Sequence, residues 1–363
     1  MPELFRTIIA FVVVLGVLVF VHEFGHYLAA RWRGVHVETF SIGFGQALMT
    51  WTDRVGTVWK LAWIPLGGYV KLHGQERPQD VPPEVRGSWL AGRTFHEKSV
   101  LSRAIVVAAG PAANFLLAMV LFAGLFSVVG RPLTLPVVSR VMPGSAAAVA
   151  GLKPMDRVEA IDGAPIATFE DLQRIVSAHP NTKMQVRVHR GDADVTLPVV
   201  SGAHQQDGRT IGLLGIEGGA VTYQHVSVPV AIWAGVTETW RVTDETARGV
   251  GQILAGRHGA DDIGGPLRIA QLSGEVAALG VGSLISFIAV LSVNLGLINL
   301  FPIPVLDGGH LLFFACEAVL GRPLPPRAQE YGVRAGLALL AGLFIFATWN
   351  DLAHFGLFHW FSG

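Results

Sequence analysis

Long apolar runs alternate along the chain with more polar stretches, and the runs have the length of membrane spans. About 20 consecutive apolar residues are needed for a helix to cross a bilayer. The pattern predicts four transmembrane helices, at residues 5–31, 103–129, 281–301 and 333–350. Pro302 and Pro304 interrupt the third run, so we predict that this helix breaks there and resumes up to about residue 320. Broken helices at membrane depth usually line a cavity or a site.

The segments between the spans follow other patterns. Residues 36–75 are rich in β-branched and aromatic residues punctuated by glycines, which predicts a small sheet, and its apolar character suggests that part of it dips toward the bilayer. Residues 131–218 carry more charge and short β-like runs, which predicts a soluble domain. Residues 228–258 have the pattern of an amphipathic helix on a domain or membrane surface.

These patterns predict an α-helical polytopic membrane protein with about four transmembrane helices, a membrane-associated β-sheet and an inserted α+β domain. The predicted segments are the first span (1–35), the loop with the sheet (36–100), the second span (101–130), the inserted domain (131–218), a linker with the amphipathic helix (219–278), the broken third span (279–320) and the fourth span with a tail (321–363).

Composition supports a membrane protein and restricts the other classes. Of 363 residues, 51% are hydrophobic and 15% charged, against about a quarter charged in soluble domains. Lys plus Arg equals Asp plus Glu at 27 each, and no charge run indicates a nucleic-acid partner. The single cysteine, Cys316, excludes an intrachain disulfide and a cysteine-rich metal site.

The distribution of Lys and Arg near the spans predicts the orientation of the chain. Basic residues cluster at the ends of the first and third loops, at Arg31, Arg33, Arg93, Lys98, Arg103, Arg322, Arg327 and Arg334. By the positive-inside rule both loops are expected in the cytoplasm. The inserted domain and the C-terminus are then expected outside, in the periplasm of a Gram-negative bacterium.

The strongest chemical signal is HEFGH at residues 22–26, inside the first span. His22 and His26 are four residues apart, share one helix face and can bind one zinc ion. Glu23 stands beside that face and can move a proton between water and a leaving amine. Two packed or interfacial histidines are the alternative reading, but ionisable groups inside a span are costly and indicate a functional site.

A catalytic zinc site usually has a third protein ligand. Asp307 is the candidate, because it follows the proline break in an apolar setting and because Gly308 and Gly309 allow close approach. Asp307 could instead cap a helix. His310 is a rival ligand and Glu317 a weaker one.

Three motifs carry a family resemblance. HEFGH at 22–26, GPAANF at 110–115 and NLFPIPVLDGGH at 299–310 resemble the site-2 protease family of intramembrane zinc metalloproteases. SIGFG at 41–45, IPLGGYVKL at 64–72 and a domain between spans two and three make the chain similar to the bacterial regulator-of-sigma-E protease group. The resemblance covers nearly the whole chain in order.

The resemblance implies roles for individual residues. It implies one zinc ion held by His22, His26 and Asp307, with Glu23 as the catalytic base. Further residues are implied in substrate binding or in shaping the site, namely Asn294, Asn299, Pro302 and Pro304, while Gly110 and Asn114 match the second-span motif. Hydrogen bonding between helices is an alternative for the two asparagines of the third span, and close helix packing is one for Gly110 and Asn114.

The inserted domain resembles a PDZ domain of the form found in bacterial proteases. The match lies at 139–176 and is carried by Gly144, Ser145, Ala148, Gly151, Leu152, Asp162 and Gly163. Such domains bind extended or C-terminal peptides by strand addition, so a peptide or a pre-cleaved substrate end is a possible partner. A steric filter over the active site is an equal alternative. Many members of the family have two PDZ domains, and this chain has room for one.

The expected function is zinc-dependent cleavage of single-span membrane proteins within the lipid bilayer of the bacterial inner membrane, with the active site toward the cytoplasm. An anti-sigma factor or remnant signal peptides are the substrates that the resemblance implies. We expect Gly43, Phe44 and Gly45 near the tip of the sheet, where they could pair with an unwound substrate. The alternatives are a metal-ion transporter that uses the same ligands and a catalytically inactive adaptor.

Overall fold

A computed structural model describes residues 2–76, 81–206, 209–219, 221–256 and 264–354. The chain forms two compact units. The first contains residues 1–125 and 228–363, and the second contains Phe126–Ser227. Among the described residues, four helices are long and apolar enough to cross a membrane: Glu3–Trp32, Val100–Val128, Val281–Asn299 and Pro326–Ala353. The prediction of a polytopic helical fold with a β-sheet is therefore confirmed, and the association of the sheet with the membrane stays a prediction.

The first unit is built from α1 (Pro2–Trp32), β1 (Val37–Thr52), β2 (Val58–Leu72), α2 (Pro83–Gly87), α3 (Val100–Val128) and, after the second unit, helices α6 to α10. These last are α6 (Val228–Leu254), α7 (Pro266–Ala278), α8 (Val281–Asn299), α9 (Asp307–Leu320) and α10 (Pro326–His354). The linker predicted at 219–278 thus contains the helix α7 as well as one amphipathic helix. The predicted end of that helix at 258 and the tail after 354 lie outside the described residues.

The sheet of the first unit is folded over on itself. β1 and β2 pair antiparallel from Val37 opposite Leu72 to Thr52 opposite Val58. Residues 39–42 lie beside residues 58–61 as well as beside 68–71, so Phe40 is opposite both Val70 and Trp59. The outer segments of the sheet are therefore 47–52 and 68–72.

The turn between β1 and β2 is organised by Asp53. Its carboxylate accepts hydrogen bonds from the amides of Val55 and Thr57 and from the Trp59 indole, at 2.9–3.1 Å. The tip of the hairpin is therefore at 53–57. Gly43, Phe44 and Gly45, which we predicted near the tip of the sheet, lie away from this turn at the bend within β1, where the carbonyls of Ala62 and Ile64 leave no room for a Cβ at Gly43. Their pairing with a substrate stays a prediction.

A buried aromatic and aliphatic cluster joins α1 to the sheet. Phe40, Val37 and Ala30 are fully buried, and Val106 of α3 and Phe314 of α9 belong to the same cluster. This core fixes the sheet of the first unit against the helix that carries His22 and His26. The sheet also leaves large apolar side chains exposed, and they lie on both of its faces because neighbouring strand residues alternate; they include Leu48, Met49, Trp51, Trp63 and Ile64.

The second unit is an α+β domain whose described residues form the helices α4 (Ala146–Val149) and α5 (Phe169–Ser177). Its largest sheet has the strand order β6-β5-β7-β8, formed by Ala164–Pro165, Arg157–Ile161, Lys183–Arg190 and Ala193–Val200. Shorter antiparallel pairs join β3 (Arg131–Thr134) to β12 (Val221–Gln224), β4 (Val138–Val141) to β11 (Ile216–Gly218) and β9 (Gly202–Gln206) to β10 (Arg209–Leu213).

The core of this domain follows from the alternation along β7. Met184, Val186 and Val188 are buried against Leu172 and Val176 of α5, and the polar residues between them face outward. A reciprocal capping box of Thr168 and Asp171 starts α5. Assignment of this domain as a PDZ domain remains a prediction.

Candidate metal centre

α1 presents His22 and His26 on one face, a single turn apart. Their Nε2 atoms are 3.2 Å from each other, and both side chains are largely buried, with exposed fractions of 11% and 13%. Gly25 lies between them at a close approach to α3, since a Cβ there would overlap the Ala109 carbonyl. The two rings are thus pressed against α3 rather than turned to lipid.

Asp307 reaches the same point from the break in the third span. α8 ends at Asn299 and α9 begins at Asp307. Any Cβ at Gly308 or Gly309 would overlap the carbonyls of residues 300, 301 and 303, so the two glycines let the chain turn sharply at this position. Leu306 occupies the N-cap position and α9 has no side-chain cap, so the alternative role of Asp307 as a capping residue is not observed.

The three side chains have the geometry of a metal site. Asp307 Oδ2 lies 3.2 Å from His22 Nε2 and 3.4 Å from His26 Nε2. Zinc bonds of about 2.0–2.1 Å in tetrahedral geometry place ligand atoms about 3.3–3.4 Å apart. Asp307 Oδ2 is buried and makes no well-formed hydrogen bond among the described residues. The donor set and its spacing therefore fit a zinc ion.

α3 backs this cluster with three residues spaced four apart, Val106, Gly110 and Asn114. The Val106 carbonyl is 2.9 Å from His26 Nδ1, and Asn114 Nδ2 is 3.2 Å from His22 Nδ1. Gly110 lies between them, where a Cβ would overlap His26 Nε2 and lie 2.9 Å from His22 Cε1. Gly110 and Asn114 therefore contact the two histidines directly, beyond the close helix packing that the sequence offered as an alternative.

Glu23 lies between the histidine pair and the outer segment 68–72 of the sheet. A Cβ at Gly68 would lie 3.1 Å from Glu23 Cγ and 2.9 Å from Val19 Cγ1. Gly68, Tyr69 and Val70 line the same cavity as Glu23. The segment that meets Glu23 is therefore 68–70, whereas residues 43–45 are absent from the described lining of this cavity.

The cavity in front of the three candidate ligands has a volume of about 1310 Å³ and a mixed polar and apolar wall. Its wall includes Asn299, His310, Phe314 and the ion pair of Arg103 with Glu317, whose closest atoms are 2.6 Å apart. The rival ligand Glu317 is thus engaged by Arg103. His310 lines the cavity but lies outside the cluster of three, and its Nδ1 faces the Leu306 carbonyl at 3.2 Å.

The remaining predicted residues divide between the cavity and the helix interfaces. Asn299 lines the cavity and donates to the Leu295 carbonyl at 3.0 Å. Asn294 accepts a 2.8 Å hydrogen bond from Thr246 of α6, which is the inter-helix role that we held as an alternative. Pro302 and Pro304 lie in the connection between α8 and α9, and Pro304 packs near Gly336 of α10.

Sequence reasoning missed the Val106 carbonyl and Gly68 as parts of this site. A proline within a helix frees the carbonyl four residues earlier, which for Pro111 is that of Val107, so no local signal pointed to the Val106 carbonyl. Gly68 lies within the IPLGGYVKL motif at 64–72, but its contact with Glu23 depends on how the sheet packs against α1.

The structure has four candidate membrane spans and a buried cluster of two histidines and an aspartate, with a glutamate beside them. These features define a class of protein, the polytopic membrane proteins with a metallopeptidase-type site. Comparison with known proteins agrees. The profile of peptidase family M50 matches residues 10–343, and the chain belongs to this family.

Individual relatives are similar over almost their whole length. A protein of Rhizobium meliloti (strain 1021) is 46% identical over 360 residues, covering 95% of this chain and 96% of the relative. The metalloprotease MmpA of Caulobacter vibrioides is 39% identical over 390 residues, covering 98% of each chain. The zinc metalloprotease RasP of Geobacillus kaustophilus is 32% identical over 428 residues, covering 98% of this chain and all of the relative.

Proposed function

We propose that this chain is a zinc-dependent intramembrane endopeptidase that holds one zinc ion with His22, His26 and Asp307. The observation that carries the proposal is the triangle of ligand atoms with edges of 3.2, 3.2 and 3.4 Å, built on helices of the membrane unit. The family and the zinc metalloprotease among its relatives support the choice of metal.

Glu23 is the general base and acid of the proposed reaction. When bound, zinc supplies Lewis acidity that lowers the pKa of water and polarises a carbonyl. Glu23 accepts the proton that water loses as it attacks the scissile carbonyl, and it then donates this proton to the leaving amide nitrogen. Its position one residue from His22 and against Gly68 places it between the candidate ligands and the sheet.

The outer segment 68–72 is the surface on which we place the substrate. Among the described residues it pairs as a strand with 37–42 alone, so its other edge has no strand partner, while the Val70 backbone on this segment hydrogen-bonds Glu23. An unwound transmembrane segment needs hydrogen-bond partners for its backbone, because unpaired amides are costly away from water. Strand addition at 68–70 would lay the substrate along the wall that contains Glu23. The polar groups of the cavity wall, among them Glu23 and Arg103, can hydrogen-bond the water that the reaction consumes.

We infer that the substrates are single-span membrane proteins, with an anti-sigma factor or remnant signal peptides as candidates. The bacterial inner membrane is the proposed location, with the site toward the cytoplasm and the second unit, as a PDZ domain, in the periplasm. The exposed apolar side chains of the sheet, which include Leu48 and Trp63, support its contact with lipid. Release of an anti-sigma factor by this cleavage would be regulated intramembrane proteolysis.

The test uses the full chain in detergent with a panel of single-span peptides. Wild type is expected to cut at least one peptide within its apolar segment, and a zinc chelator is expected to stop the reaction. Glu23→Gln should bind zinc as wild type does and cut nothing. A metal-ion transporter that used the same ligands would cleave no peptide in either form, and that result would reject the proposal.

A further inference from the structure

Asn114 is a fully buried polar residue in the middle of α3, with 0% of its surface exposed. Its Nδ2 lies 3.2 Å from His22 Nδ1, while its Oδ1 has no hydrogen-bond partner among the described residues. Its main chain is fixed from the other side, because Ser292 Oγ donates to the Asn114 carbonyl at 2.8 Å. A buried amide held in this way needs an explanation, since a buried polar group without a partner is costly.

The chemistry of a histidine ligand explains why a buried amide lies at this position. A neutral imidazole that binds a metal through Nε2 carries its proton on Nδ1, and this proton needs an acceptor. His26 has its acceptor in the Val106 carbonyl, at 2.9 Å from Nδ1. At His22 Nδ1 the neighbouring side chain is Asn114. The amide presents a donor and an acceptor that exchange places on a half-turn about its last torsion, so Asn114 can serve either tautomer of His22.

On this basis we propose that Asn114 is a positioning residue of the metal site: its Oδ1 accepts the Nδ1 proton of His22 and so fixes the tautomer whose Nε2 is free for zinc. This inference rests on the proposed function and deepens it. It also gives α3 one acceptor for each histidine, a main-chain carbonyl for His26 and a side-chain amide for His22. The four-residue spacing of Val106, Gly110 and Asn114 places both acceptors beside the histidine pair of α1.

The competing account is that Asn114 only fills space between α3 and α8. A Cβ at Gly296 of α8 would lie 3.3 Å from the Cβ of Asn114, so α3 and α8 are closely packed at this point. Packing depends on shape, whereas the proposal depends on an acceptor at one atom. Leucine and aspartate separate the two, because each has the same four side-chain heavy atoms branched at Cγ as asparagine, while only aspartate keeps an acceptor.

The experiment measures zinc affinity by chelator competition in detergent-purified full chain, together with zinc dissociation rate and thermal unfolding of the metal-stripped proteins. Asn114→Leu is expected to lose about 10–100-fold in affinity, the range for loss of an outer partner of a ligand. Asn114→Asp is expected to stay close to wild type in affinity and to release zinc no faster. The matched control is Asn294→Leu, because Asn294 is another inter-helix amide that bonds Thr246 rather than a histidine, and it should bind zinc as wild type does.

Equal affinities of wild type and Asn114→Leu would overturn the assignment while leaving the proposed function intact. Equal losses in Asn114→Leu and Asn114→Asp would also overturn it, because the shape of the side chain rather than its acceptor would then matter. Failure of wild type itself to bind zinc would reject the proposed function. Should Asn114→Leu not fold, a weaker zinc affinity of Asn114→Asp than of wild type would by itself overturn the assignment.

Discussion

Replacing Gly110 with alanine adds one methyl group at the centre of the candidate metal site. The new Cβ would overlap His26 Nε2 and would lie 2.9 Å from His22 Cε1, whereas ordinary contacts of such atoms are about 3.5–4.0 Å. The His26 ring must then move by on the order of 1 Å, and its Nδ1 bond to the Val106 carbonyl opposes that movement. A misplacement of about 1 Å in a catalytic constellation costs on the order of 10²-fold in rate.

The same substitution favours the helix itself. Alanine is about 1 kcal/mol better than glycine in a helix interior, so a loss of function in Gly110→Ala cannot be ascribed to weaker helix formation. We expect lower zinc affinity and on the order of 10²-fold slower peptide cleavage, with unfolding of the metal-stripped protein at or above the wild-type temperature.

The assay compares Gly110→Ala with Gly124→Ala in the same helix. Nothing lies within 4 Å of a Cβ at Gly124, so this control should bind zinc and cut peptide as wild type does. Wild-type zinc affinity and cleavage in Gly110→Ala would show that the rings do not rest on Gly110, and the described packing of α1 on α3 would be refuted.

Two further predictions concern the substrate edge and the second unit. In a Cys316→Ser background, which removes the one cysteine of the chain, Tyr69→Cys should form a disulfide with a cysteine placed near the scissile bond of a peptide, and Met49→Cys on the opposite outer segment should not. Equal crosslinking at both positions would refute substrate pairing at 68–70. Burial raises the pKa of Asp156, but hydrogen bonds from Arg190 outweigh burial and leave the pKa below its ordinary value. The ionised pair therefore stabilises the second unit above about pH 4 and is lost as pH falls through the lowered pKa. Asp156→Asn should cost about 1.5–3 kcal/mol at pH 7, measured as faster hydrogen exchange in Arg157–Ile161, and a cost that did not shrink toward pH 2 would contradict this.

Sequence reasoning succeeded where one short segment contains the whole signal. His22, Glu23 and His26 lie within five residues of one helix, and their relation is fixed by helical geometry alone. Asp307 was reachable because a carboxylate beside a proline break in an apolar segment has few other uses. The four spans were predictable from length and hydropathy, and the structure has the first three within three residues of the predicted bounds.

Sequence reasoning failed where the answer depends on register between separate elements. The position of Gly43, Phe44 and Gly45 in the sheet depends on the doubled pairing of residues 39–42, which no local pattern reveals. The contact of Gly68 with Glu23 depends on how the sheet packs against α1. The extent of the fourth helix was underestimated because its first turns, from Pro326, are polar.

The measurement that tests the central claim most directly is X-ray absorption spectroscopy at the zinc edge on the purified full chain. The account predicts one zinc per chain with two imidazole nitrogens and oxygen ligands at about 2.0–2.1 Å, and loss of bound zinc in Asp307→Ala. A zinc spectrum with fewer than two imidazoles, or full zinc occupancy in Asp307→Ala with unchanged ligands, would contradict it.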